Sequence, residues 1–147
     1  MRVVIALVAL LTATGAMAEA HGPQTSGPQT PGLGRSLYVT NCASCHGAKL
    51  EGQPDWKRRL ATGRMPAPPH DASGHTWHHT DGDLFRLTRE GVAAFVGDGY
   101  ESDMPAFAGV LSDEEIRAIL AYLKSTWPDR ERTFQAEVTR AGEEAQE

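Results

Sequence analysis

The chain has 147 residues, 40% of them hydrophobic and 22% charged, with a formal net charge of −5. A length close to the roughly 150 residues of one typical domain argues against a pair of domains and against a large enzyme built on an α/β sheet, and the acidic balance excludes a global basic footprint for nucleic acid. Cys42 and Cys45 are the two cysteines, which excludes a multi-bridge disulfide scaffold and a four-cysteine zinc site.

Residues 1–18 read as a signal peptide. Arg2 supplies the positive start, residues 3–11 are an unbroken apolar run, and Ala16-Met17-Ala18 is a small-residue cleavage site. The run is well short of the about 20 apolar residues a membrane span needs. The expected location is therefore periplasmic, with no transmembrane segment in the mature chain. Residues 19–31 are dominated by proline, glycine and small polar residues and read as a flexible leader, in which the repeated Gly-Pro-Gln-Thr is compositional.

The remaining chain divides into a folded domain over 32–128 and a polar tail over 129–147. A short helix is expected over 32–41, where Leu33, Leu37 and Tyr38 share a face. Residues 47–82 form a long polar stretch rich in glycine, proline and histidine, interrupted by Pro66, Pro68 and Pro69. Such a loop counts against a compact domain unless it wraps something that serves as its core. A second helix opens at Thr80 or Asp81, with Leu84, Phe85, Leu87 and Thr88 on its apolar side and Gly91 as its stop. The last helix has a capping box in Ser112 and Glu115, a staple in Leu111 and Ile116, and an apolar stripe through Ile116, Ile119, Leu120 and Leu123, ending at Trp127-Pro128. The tail carries little apolar surface and is expected as a frayed end or a short exposed helix. No stretch reads as a strand. Three short helices and long loops make a thin core, so another source of buried apolar surface is expected.

Cys42-Ala43-Ser44-Cys45-His46 supplies it, as the attachment signature of a c-type haem. Two thiols one helical turn apart can add to the two vinyl groups on one porphyrin edge, and the histidine that follows can then coordinate the iron. Tethering makes that coordination intramolecular and the effective ligand concentration high. A disulfide oxidoreductase would place Cys-x-x-Cys near a βαβ pattern, which is absent; a zinc site would need further paired ligands; a plain disulfide leaves the adjacent histidine without a role.

On these residues the chain resembles the class I monohaem cytochromes c, over about residues 34–128. Gly34 and Tyr38, eight and four residues before Cys42, resemble the glycine and aromatic of the family's amino-terminal helix, and Tyr122 resembles the aromatic of its carboxy-terminal helix. The resemblance implies an all-α fold of three to four short helices wrapped around one covalently attached haem c, with those two helices crossing closely at the glycine. Asp103-Met104-Pro105-Ala106-Phe107 resembles the family's distal loop, which implies Met104 as the second iron ligand opposite His46. A thioether is a soft ligand, and His/Met ligation raises the reduction potential. Met65, His70, His75, His78 and His79 are the competitors. The resemblance also gives Trp77 as donor to a haem propionate, and Pro68 or Pro69 as the carbonyl that orients His46.

The function expected is that of an exported, monomeric electron carrier, with Cys42 and Cys45 binding the cofactor, His46 and Met104 ligating iron, and no catalytic residue. Its partners are redox proteins docked transiently, and the net charge suggests basic patches on them. Two alternatives stand beside it. One is a haem enzyme or a gas or peroxide sensor in which Met104 dissociates; the other handles copper with the His75, His78 and His79 cluster.

Overall fold

In the computed structural model, residues 31–145 are described, and among them six α-helices and one 3-10 turn follow one another with no strand beyond an isolated bridge between Ala108 and Leu111. The signal peptide and the leader lie outside the described residues, apart from Pro31. Helix α1 spans Pro31–Asn41 and α2 Ala43–His46, followed by a 3-10 turn at Thr76–His78. Then come α3 over Asp81–Glu90, α4 over Val92–Val96, α5 over Asp113–Thr126 and α6 over Asp129–Glu144. No described helix is long and apolar enough to cross a membrane.

The helix boundaries follow local chemistry. Thr80 Oγ1 accepts the Asp83 N–H at 3.0 Å and starts α3, and Gly91 at φ 84° stops it. Ser112 and Glu115 exchange both bonds of the capping box, at 3.2 and 2.8 Å, and start α5. The apolar stripe of α5 faces inward. Ile116, Ile119 and Leu123 join Tyr38, Leu50, Leu84, Phe107, Leu111 and Trp127 in one buried cluster.

Helix α1 crosses α5 at Gly34, where a Cβ would meet the Ala118 carbonyl and lie 2.9 Å from Tyr122 Cβ. Gly34→Ala gains roughly 1 kcal/mol of helix propensity. The new methyl meets backbone that cannot rotate away, and overpacking of this kind costs about 1–3 kcal/mol. The steric term prevails, so the variant is expected to unfold at lower urea than the parent; an unchanged or higher midpoint would show that the two helices do not depend on this close approach.

Two helices lie beyond the three to four expected. Helix α4 is a five-residue turn between Gly91 and Gly97. Helix α6 replaces the frayed or short exposed tail expected over 129–147. Asp129 and Glu131 stand in its first turn, where the helix dipole favours them, and the Arg132 guanidinium reaches the Trp127 carbonyl at 2.8 Å and pairs with Asp129. Its inward face is polar. Gln135, fully buried, donates through Nε2 to Asp81 Oδ1 at 2.6 Å and to Thr139 Oγ1 at 3.0 Å, and lies 3.3 Å from the His79 carbonyl. Thr139 Oγ1 in turn accepts the Asp81 N–H at 3.1 Å. The helix therefore docks on the start of α3 and on the 3-10 turn by hydrogen bonds, with Phe134 supplying an edge-to-face contact to Trp77 at 5.3 Å.

Candidate functional site

Cys42, Cys45 and His46 occupy one tight turn. The Cys42 N–H still bonds to Tyr38 O at 2.8 Å, so the turn continues the direction of α1, and the Cys45 and His46 N–H groups return to Cys42 O at 3.1 and 2.9 Å. Both cysteines are unpaired; Cys45 is exposed and Cys42 half-buried, and burial pushes the Cys42 thiol up to about 11. Tyr38 fastens the turn by donating its hydroxyl to Gly47 O at 2.8 Å. Burial, first among the causes, holds that phenol well above its ordinary value.

His46 is buried, and its Nδ1 lies 2.8 Å from Pro68 O. A carbonyl only accepts, so the ring proton sits on Nδ1 and the lone pair of Nε2 is left for a metal. Burial lowers the imidazole pKa, and the bond to Pro68 only partly opposes this, which keeps the ring neutral and able to ligate. Of the two prolines expected, Pro68 provides the carbonyl.

The long loop reaches this position by pairing with the turn after His46. Gly52 N–H bonds to His46 O at 2.8 Å, Gln53 N–H to Ala67 O at 2.9 Å, and His70 N–H to Leu50 O at 2.8 Å. The Gln53 side chain accepts the Ala67 N–H at 2.8 Å. Gly52 sits at φ 68° against the Pro68–Pro69 backbone, where a Cβ would lie 2.6 Å from the Pro68 carbonyl carbon. No side chain fits there, which is why the carbonyl comes so close.

The competitors for the second ligand position fall into distinct places. His70 stacks on His46 itself, with centroids 4.0 Å apart and planes 23° from parallel, and its Nδ1 is engaged with Thr76 Oγ1 at 2.8 Å. It lies beside the His46 ring. The three clustered histidines are split. His75 stacks on Trp56 at 5.3 Å and meets His79 at 5.4 Å, whereas His78 lies over Trp77 at 3.8 Å and against Phe134. Among the described residues no three of His, Cys, Asp or Glu converge as a metal site; of the three histidines in the alternative copper reading, His75 and His79 are side by side. Met104 sits between α4 and α5 and packs, half-buried, on the same core cluster as Cys42 and Trp77; Met65 does not.

Trp77 Nε1 is buried, with no acceptor among the described residues. An unpaired buried N–H costs about 1–3 kcal/mol, so an acceptor outside the described residues is expected. Sequence reasoning missed three contributors to this region. His70 as a ring packed on His46 and Gly52 as the cradle of Pro68 had no local signal. Trp127 reads in the sequence only as a helix end, yet its Nε1 donates to His70 O at 2.7 Å and it is 1% exposed.

A family model described as cytochrome c matches residues 32–127. The chain is also similar to a nitrite reductase of Stutzerimonas stutzeri, 26% identical over 130 residues, which cover 84% of this chain and 20% of that protein. The chain thus spans about a fifth of that relative's length. No solved structure matches it.

Proposed function

The chain belongs to the cytochrome c family, and on that footing we propose that it is an exported one-electron carrier holding haem c through thioethers to Cys42 and Cys45, with His46 and Met104 as iron ligands. Bound haem supplies a one-electron couple between ferrous and ferric iron, with a potential raised by a methionine ligand. The observation that carries the reading is the buried His46 ring, oriented by Pro68 O and presented directly after the Cys45 thiol and one turn after that of Cys42. The buried Trp77 N–H fits the same group, since a porphyrin propionate is the kind of acceptor it lacks. Tyr38, Gly52 and Trp127 hold the turn and the loop in register around that position. The amino-terminal export signal supports a periplasmic location. Partners would dock transiently on a small interface, at the low end of about 1,200 Å².

Met104→Ala tests the ligand set. The ferric parent is expected to show the weak long-wavelength absorption band that sulfur ligation gives, and the variant to lose it. The variant's potential is expected to fall by on the order of 0.1–0.3 V, within the roughly 0.8 V that axial ligands span. A parent without the band, or a variant that keeps it, overturns Met104 as ligand.

The nitrite reductase relative favours a second reading, an enzyme or sensor in which the Met104 position opens to a small molecule. That reading predicts immediate carbon monoxide binding by the reduced parent and turnover of nitrite. The carrier reading predicts neither at a rate that matters beside electron transfer to a partner.

A further inference from the structure

The segment that carries Met104 is weakly held by its own backbone. It leaves α4 through Gly97, Asp98 and Gly99 at φ 74°, 48° and 73°. Its backbone rejoins the rest of the fold at Phe107 and Ala108, whose N–H groups donate to Thr88 O and Arg89 O at 3.1 and 2.9 Å. Between these points the bonds among the described residues are internal, Tyr100 N–H to Gly97 O at 2.9 Å and Met104 N–H to Ser102 Oγ at 3.1 Å.

Among the described residues, the polar links that leave the segment run to one side chain far away in sequence. Arg64 donates through Nε to Glu101 Oε2 at 3.3 Å and through Nη1 to Asp103 Oδ1. Next to it, Arg59 lies over the Tyr100 ring at 5.8 Å. Both arginines are presented by a turn closed by Leu60 N–H to Arg64 O and Gly63 N–H to Leu60 O, each 2.9 Å. This turn belongs to the same loop that brings Pro68 O to His46.

We propose that Arg64 is a positioning residue, a latch that keeps the Met104 segment closed and so keeps Met104 on the iron. The inference rests on the reading of Met104 as ligand. A guanidinium suits the task because its planar fork engages two carboxylates at once with little further loss of side-chain freedom. Acting on both Glu101 and Asp103, it restrains the backbone on the approach to Met104, where no backbone bond from elsewhere among the described residues does so. The pairs are exposed, so each is weak and screened by salt. The latch therefore biases an open–closed equilibrium without locking it. A competing ligand reaches the iron only in the open state, so its apparent affinity scales with the open fraction.

The test titrates the ferric holoprotein with imidazole and follows the long-wavelength sulfur band. Arg64→Gln is expected to lower the imidazole midpoint roughly two- to fivefold, the scale of a small network of exposed pairs. Arg64→Lys restores part of the difference. Glu101→Gln weakens the parent but adds nothing in the Arg64→Gln background, and about 1 M salt moves the parent toward the variant. Amide exchange over residues 98–104 of the holoprotein is expected to quicken in Arg64→Gln. An unchanged midpoint, unchanged exchange, or an equal effect of Glu101→Gln in both backgrounds overturns the latch while leaving Met104 as ligand. A parent with no sulfur band overturns the ligand reading and the latch together.

Discussion

With Cys42 and Cys45 both replaced by alanine, the pigment is expected to pass almost wholly into acidified organic solvent, whereas the parent's stays on the denatured chain. The physical difference is covalency. With the proposed attachment, two thioether bonds would survive unfolding in the parent, and a tether of one helical turn would set the effective concentration of His46 at the iron. In the double variant only coordination by His46 and burial would hold the group, and acid removes both by protonating the imidazole and unfolding the chain. Single variants are expected to behave like the parent in this extraction, since one thioether suffices for retention. The half-buried thiol at Cys42 and the exposed one at Cys45 make the two sites unequal in access, so Cys45 is expected to tolerate loss with the smaller change in packing. Parent pigment that extracts freely would sink covalent attachment.

The second large effect is at Trp127. Its side chain is one of the largest fully buried ones and ends α5 at the centre of the core cluster, while its indole N–H holds the His70 carbonyl at 2.7 Å. Trp127→Ala removes a fully buried indole from the core cluster, and truncations of this kind cost about 3–5 kcal/mol. Against the 5–15 kcal/mol that separates typical native domains from their unfolded chains, this is a large share. Trp127→Phe keeps much of the apolar volume and strands the His70 carbonyl, at about 1–3 kcal/mol. Urea midpoints of the holoproteins are expected to rank parent, Phe, Ala. Because His70 stacks on His46 and lies two residues past Pro68, the Phe variant is also expected to perturb the spectrum of the proximal histidine. A Phe variant equal to the parent in both respects would mean that the indole bond does not hold this loop.

The parts legible in the residues are those with local causes. Cys42, Cys45 and His46 are adjacent, and their spacing is itself the chemistry. The capping box of Ser112 and Glu115, the Thr80 cap and the Gly91 stop were all readable because a cap is satisfied within four residues of itself. Gly34 stood at helical spacing from Tyr38 and Cys42, and its close approach to α5 followed from the family's pattern. The length of helix α6 and its docking on the fold were not legible in the tail, for a definite reason. Hydrophobic periodicity looks for apolar residues on one face, and the buried positions of α6 are Glu131 and Gln135, which cost too much to bury alone. Gln135 is tolerable only where Asp81 and His79 O wait to accept from its amide, and those partners lie more than fifty residues away, while Glu131 pairs with Arg130 beside it.

The choice between Pro68 and Pro69 was of the same kind. Each offered a carbonyl, and nothing local distinguishes them. The choice is made by the pairing of residues 50–53 with 67–70 and by the absence of a side chain at Gly52. The three histidines at 75, 78 and 79 looked like one cluster because proximity along the chain is all a linear reading can measure. Folding sends His78 toward Phe134 and turns His75 toward Trp56. Chemistry carried by neighbours in the chain was thus settled before folding, as with the thiols and His46. Whatever depends on which distant backbone or carboxylate comes within 3 Å, from the orientation of His46 to the anchoring of Met104 by Arg64, was settled by packing, because such contacts have no energy until the chain has closed the loop between them.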